Sequence, residues 1–183
     1  TVRASSADVV GLQEFWLAER HVEMWRSFAE DEGFCMLVSP RTGGKQDGCC
    51  MLVRRARLAR PPVLETFSFD DWGNRVLQVV SVSLAGDAQL TFAHTHLTFP
   101  HDNGHDKVIR WHQGRKLASF ARERADAAAA TPLVVLGDLN GDVRDPAVSH
   151  LLREGGLTPM TTATDWVSHL CHTGAQMACD LVA

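Results

Sequence analysis

The run Leu133–Val134–Val135–Leu136 follows Pro132 and stops on Gly137–Asp138. Four consecutive apolar residues behind a proline are too short for a helix and read as a buried strand. The run continues as "GDLNGDVRD", and D-x-N-x-D resembles the start of a calcium loop. Such a loop beginning at Asp138 needs glycine at its sixth place and glutamate at its twelfth. Val143 and Ser149 stand there, so the calcium reading fails. Strand residues two apart face the same way, which projects Asp138 and Asn140 together from the strand's C-terminal end. Open α/β sheets place ligands at such ends. The bland alternative is an Asx-turn with Gly141, which needs no chemistry.

The rest of the chain supplies the layers around that strand. Residues 7–15 read as a strand, and 17–33 as a helix closed by Gly33. "FCMLVS" and "DGCCMLVRR" read as strands around the loop "PRTGGKQ". Residues 75–84 and 88–95 read as strands joined across "AGDA", a hairpin signal. Residues 106–130 read as a long helix opened by Asp102 and Asn103, with Ile109, His112, Leu117, Phe120 and Ala121 roughly on one side. A short helix is expected over 146–154, then strand and loop to Val182. Strands with hairpins plus helices indicate an α/β layered fold with mainly antiparallel or mixed sheets.

With 183 residues, one domain over 1–183 is expected. The net charge of −4 argues against tight non-specific nucleic-acid binding, though not against a local basic groove. Five cysteines fit no closed disulfide framework and point to a reducing, intracellular compartment. No run is long enough to span a membrane. The strand-like ends at Val9 and at "CDLVA" suggest a piece of a longer chain.

Three strands end in polar groups. Glu14 shares a face with Val10 and Leu12. His94 and His96 share one with Leu90 and Phe92, so a core face turns polar at its end. Asp138 and Asn140 close the third. A lone histidine at such a place is more often a satisfied core group, and a terminal glutamate a solvated rim residue. Together these residues form a plausible phosphoryl-hydrolysis site. Mg²⁺ needs only one or two carboxylates because it keeps most of its waters. Aspartate can orient or deprotonate the attacking water. Histidine can donate to a phosphate oxygen as charge develops there.

The pieces "VVGLQEF", "FAHTHLTFP", "VVLGDLNGD" and "CDLVA" resemble, in order and over nearly the whole chain, the endonuclease/exonuclease/phosphatase superfamily. "THLTFPHD" and "WVSHLCHTGAQMACDLVA" look most like its plant and algal branch described as calcium-binding, whose EF-hands lie outside this region. The resemblance implies a four-layer α/β/β/α sandwich of two sheets with outer helices, incomplete at both ends. It implies Glu14 as a Mg²⁺ ligand, with Mn²⁺ as a substitute, and His96 as a phosphate contact. Asp138 would activate water and Asn140 would bind phosphate. Asp180 would orient a catalytic histidine. The family's first-strand asparagine and its last Ser-Asp-His signature have no match here, so residues 1–183 alone are expected to be impaired.

Among the remaining residues, His169 and His172 with Cys171 and Cys179 lack the paired spacing of common zinc sites. They read as a loop near the site, with His169 and His172, like His94, as candidate substrate contacts. His101 and His105 read as surface residues. Arginines 54, 55, 57 and 60 read as a solvated strand edge, and Trp16, Trp25, Trp72, Trp111 and Trp166 as core or half-buried. No G-x-S-x-G motif supports a serine hydrolase. The function expected is a Mg²⁺-dependent phosphodiesterase, a nuclease acting on single-stranded RNA or DNA before an inositol phosphate or sphingomyelin. The alternative is a catalytically silent member of the fold that serves as a binding or assembly module.

Overall fold

The computed structural model describes residues 2–101, 103–127, 130–160, 167–170 and 176–183. After a short helix α1 (Val2–Ser5), the chain forms β1 (Val9–Trp16), α2 (Glu19–Asp31), β2 (Phe34–Pro40) and β3 (Asp47–Arg54). Then follow β4 (Val63–Ser68), β5 (Val76–Ser83), β6 (Gln89–His96), α3 (Gly104–Ala125), β7 (Leu133–Asp138) and α4 (Pro146–Gly155). Two two-residue strands, β8 (His169–Leu170) and β9 (Gln176–Met177), precede β10 (Asp180–Val182).

One sheet is antiparallel in the order β1-β3-β2. The other runs β10-β7-β6-β5-β4 and is mixed, because α3 crosses over between β6 and β7 and makes that pair parallel. Side-chain alternation sorts the core into three layers. In β3, Cys50 and Leu52 join Phe15, Phe34 and Ala29 beneath α2. Their neighbours Met51 and Val53 meet Val80, Val82 and Phe92 between the sheets. On the far face Leu77, Val79, Ala93 and Val135 pack against Leu117, Ala118, Val148 and Leu151 of α3 and α4. The architecture is therefore an α/β/β/α sandwich of two sheets with outer helices. Strands covered on both faces lack polar alternation, which is why they read as apolar runs.

Several boundaries differ from expectation. The long helix spans 104–125, and Asn103 caps it by accepting from the Asp106 N–H at 2.8 Å. Asp102 lies outside the described residues. His112 is exposed, while Arg110, Gln113 and Gly114 occupy the buried face beside Ile109, Leu117 and Ala121. Edge strand β4 went unread because its residues are mostly exposed and show no apolar run. The basic edge is paired: Arg54 and Arg57 both meet Asp8. Trp16 and Trp72 are exposed, not core. No helix among the described residues is long and apolar enough to cross a membrane.

Gly137 sits in β7 at φ +145°, where a Cβ would collide with the Thr95 carbonyl of β6. Gly156 ends α4 at φ +66° with open space around it. Both pay a backbone penalty for a side chain, but only Gly137 adds overpacking of ~1–3 kcal/mol. Denaturant unfolding should show Gly137→Ala more destabilising than Gly156→Ala; equal losses would refute the close β6–β7 contact.

Candidate functional site

Strand ends from both sheets line a cleft of about 430 Å³: Gln13, Glu14, Arg75, His96, Phe99, Asp138, Asn140, His169, Cys179 and Asp180. Of the residues singled out in the sequence, Glu14, His96, Asp138, Asn140, Asp180 and His169 meet here. His172, Cys171 and Trp166 lie outside the described residues.

His94 does not reach the cleft. It is fully buried, with Nδ1 at 2.9 Å from Gln78 Oε1 and Nε2 at 2.8 Å from Gln13 Nε2. An amide oxygen can only accept and an amide nitrogen can only donate, so His94 carries its proton on Nδ1 and accepts at Nε2. Burial pushes its pKa down to about 4 and keeps it neutral. The expectation of a substrate contact is corrected: strand parity puts His94 on the right face, but depth between the sheets removes it from any ligand.

Glu14 arrives by a β-bulge. Leu12 pairs with Cys50 and Phe15 with Gly48, so Gln13 and Glu14 together face Cys49. Glu14 adopts φ +50°, and the bulge rather than simple alternation aims it. Asn140 likewise is not a strand residue. It follows β7 at φ +52°, and its N–H donates to Asp138 Oδ1 at 2.8 Å. That is an Asx-turn opened by Asp138 and centred on Leu139, not the Gly141 version, and it serves the site instead of competing with it.

Arg110 of α3 anchors this turn, and the sequence reading missed it. Its Nη1 donates to the Asn140 carbonyl at 3.1 Å, and its Nη2 pairs with Asp145, the N-cap of α4. It shares the buried face of α3 with Ile109, Gln113, Gly114, Leu117 and Ala121, and only these tertiary partners reveal its place there.

Arg75 is the second residue the reading missed. Its Nη1 donates to His96 Nδ1 at 2.9 Å. A guanidinium has no acceptor, so Nδ1 is the unprotonated nitrogen and Nε2 carries the hydrogen. Burial first, then the Arg75 and Arg41 cations and His94, pushes the His96 pKa down to about 3. Neutral His96 therefore forms no ion pair with Asp138 Oδ2 at 3.6 Å. Asn140 Nδ2 donates to the Leu97 carbonyl at 2.8 Å and lies 3.0 Å from His96 Nε2. Two donors thus stand side by side at the cleft wall with no hydrogen bond between them, and one oxygen bridging both from the cleft would satisfy them.

Asp138 Oδ1 is held by the Asn140 N–H, which leaves Oδ2 toward the cleft. Burial raises its pKa, and the like charge of Asp180, opposite it in the β10–β7 register, raises it further. The Asn140 N–H, His169 and Arg75 pull the other way. Among the described residues no three His, Cys, Asp or Glu side chains form a ready-made metal cage. The donor set of Glu14, Asp138 and Asp180 carboxylates still fits Mg²⁺, a hard cation that takes one or two protein oxygens and keeps its waters.

Comparison with solved structures shows the fold. The catalytic domain of human Nocturnin, solved with bound sulfate, matches at 17% identity and TM-score 0.73, over 99% of this chain and 70% of that one. ANGEL2, a 2′,3′-cyclic phosphatase in complex with adenosine-2′,3′-vanadate, matches at 15% and 0.76, over 99% and 71%. D. rerio TDP2 complexed with single-strand DNA product matches at 15% and 0.64, over 99% and 72%. A sequence comparison with curated proteins finds no match. The sequence profile of the Endonuclease/Exonuclease/phosphatase family matches residues 1–178, and the chain belongs to that family.

Proposed function

We propose that this protein is a Mg²⁺-dependent phosphodiesterase, with Mn²⁺ as a substitute, and that it acts on single-stranded RNA or DNA. The observation that carries the reading is the pair of side-by-side donors, His96 Nε2–H and Asn140 Nδ2–H, beside the Asp138 carboxylate. Donors at the wall bind non-bridging phosphate oxygens, and their hydrogen bonds strengthen as charge develops. Asp138 Oδ2 takes a proton from the attacking water; the new O–P bond forms, and the bond to the leaving oxygen breaks. A raised pKa makes Asp138 a stronger base than an exposed aspartate. Glu14, with Asp138 and Asp180 near, would hold the cation, which supplies charge neutralisation at the phosphate. Asp180 would also orient a histidine, as the resemblance implies, and His169 would contact substrate at the cleft edge. The nucleic-acid preference draws on the single-strand DNA product of TDP2 and the adenosine ligand of ANGEL2. Cys35, Cys49 and Cys50 are thiols rather than disulfides, which is in keeping with a reducing, intracellular setting.

Turnover should be compared on single-stranded RNA, single-stranded DNA, an inositol polyphosphate and sphingomyelin under one Mg²⁺ condition. RNA is expected first. Asp138→Ala should lower the rate about 10²–10⁴-fold while leaving the circular-dichroism spectrum unchanged. Preference for a headgroup would overturn the nuclease reading. Binding without turnover, in a chain that also carries the family's last Ser-Asp-His signature, would favour the binding-module alternative.

Calorimetric titration with Mg²⁺ should show weaker binding to Glu14→Gln than to wild type. Equal affinity would place the cation elsewhere.

The carboxylates should also couple in solution. Turnover needs Asp138 ionised, so activity should fall with pH at a value above the ordinary ~3.9 of aspartate. His96 remains neutral through that range and contributes no limb near 6.5. Carboxyl NMR titration should find Asp138 titrating lower in Asp180→Asn, because a like charge has gone. An unmoved curve would show that the two groups do not interact.

A further inference from the structure

Among the described residues, every cleft-lining side chain but two is charged, amide or imidazole; the exceptions are Cys179 and Phe99. Phe99 is 40% exposed. A half-bare phenyl ring in a polar cleft forgoes the gain of burial until something covers it.

The segment that carries Phe99 is pinned next to the reacting groups. The Leu97 N–H donates to the Asp138 carbonyl at 2.9 Å, and the Thr98 N–H to Gln113 Oε1 at 2.9 Å. Phe99 follows His96 by three residues, and both line the cleft. It is also braced. His101 packs edge-on against it, with ring centroids 4.9 Å apart and planes at 68°. His101 Nδ1 lies 2.7 Å from Asp106 Oδ2 in the first turn of α3, and the Asp106 N–H is held by Asn103. A rigid aromatic face beside a phosphate-binding wall is what a planar ring attached to that phosphate can use.

We propose that Phe99 is the stacking platform for a nucleobase adjacent to the phosphate held by His96 and Asn140. The ligand class is then nucleoside phosphates and their single-stranded polymers. This rests on the phosphoester reading of the same cleft and extends it to the group next to the phosphorus. The acidic balance of the chain fits the assignment: with 22 acidic against 18 basic side chains, phosphate attraction is modest and stacking adds sequence-tolerant affinity.

Calorimetric titration at one fixed Mg²⁺ concentration tests it with three probes: adenosine 5′-monophosphate, ribose 5-phosphate and phosphocholine. Wild type should bind the nucleotide between about fivefold and a hundredfold more tightly than ribose 5-phosphate. Phe99→Ala should bring that ratio to about twofold or less, and Phe99→Trp should restore it. Trp72→Ala removes an aromatic that is 85% exposed yet absent from the cleft lining, and should leave the ratio alone. A wild-type ratio near one, a ratio that survives in Phe99→Ala, or tightest binding of phosphocholine would each overturn the proposal. Turnover is not the readout. A protein that binds nucleotide through Phe99 but cleaves nothing would sink the hydrolase reading alone.

Discussion

The hydrogen bond from Gln13 to His94 spans the gap between the two sheets, and the cleft depends on it. Gln13 belongs to the bulge that carries Glu14, and His94 belongs to the strand that carries His96. The connection does not stop there. His94 donates to Gln78 of β5, and Gln78 Nε2 donates back to the Leu37 carbonyl and Ser39 Oγ of β2, each at 3.1 Å. Four strands from two sheets are thereby tied through one buried, fully satisfied chain. Such chains are stabilising only when every member finds a partner, and this one does. Gly11 makes the approach possible: a Cβ there would stand 2.9 Å from His94 Nε2 and 3.1 Å from Leu136 Cδ1. The metal-ligand candidate on one sheet and the proposed phosphate-binding wall on the other are tied through a histidine that is buried from solvent.

The site sits where regular structure breaks. Glu14 and Asn140 both hold left-handed backbone, and Gly137, in β7 just before the Asx-turn, holds a positive φ. Non-glycine residues in that region cost roughly 1–3 kcal/mol each and persist only when their surroundings over-determine them. Here the surroundings are identifiable. Strand pairing resumes at Phe15 on one side of the Glu14 bulge. Arg110 and the Asp138 side chain grip the Asn140 backbone on the other.

That pattern explains what could be read from the sequence. Strands covered by a helix layer or a second sheet announce themselves as apolar runs, so β1, β2, β3, β5, β6 and β7 were legible, and with them the layered α/β class. Edge strand β4 was not, because exposed residues leave no period to detect. At the site, residue identity was legible and geometry was not. Alternation grouped Glu14 with Leu12 and Asn140 with Asp138, while a bulge and a turn in fact deliver them. It grouped His94 with His96, and parity cannot report that one lies deeper than the other. Arg75 and Arg110 were missed because a guanidinium in a soluble chain reads as surface by default; only tertiary partners reveal that these two are interior.

Arg75 also settles how the cleft handles charge. Three carboxylates line it, Glu14, Asp138 and Asp180, and unrelieved they would repel a phosphate. A protonated histidine could offset them, but its charge would come and go near neutral pH. Burial first, and then Arg75, removes that option: the guanidinium donates to Nδ1 and disfavours a second cation beside itself. The permanent positive charge sits on the guanidinium, and His96 is left as a neutral donor whose Nε2–H does not titrate in the working range. In the proposed mechanism proton transfer would then fall to Asp138, whose basicity is raised by burial and by Asp180. Donor and base are separated because each group's environment pushes its pKa away from the other's role, the arrangement by which a single cleft can hold an oxyanion and accept a proton at once.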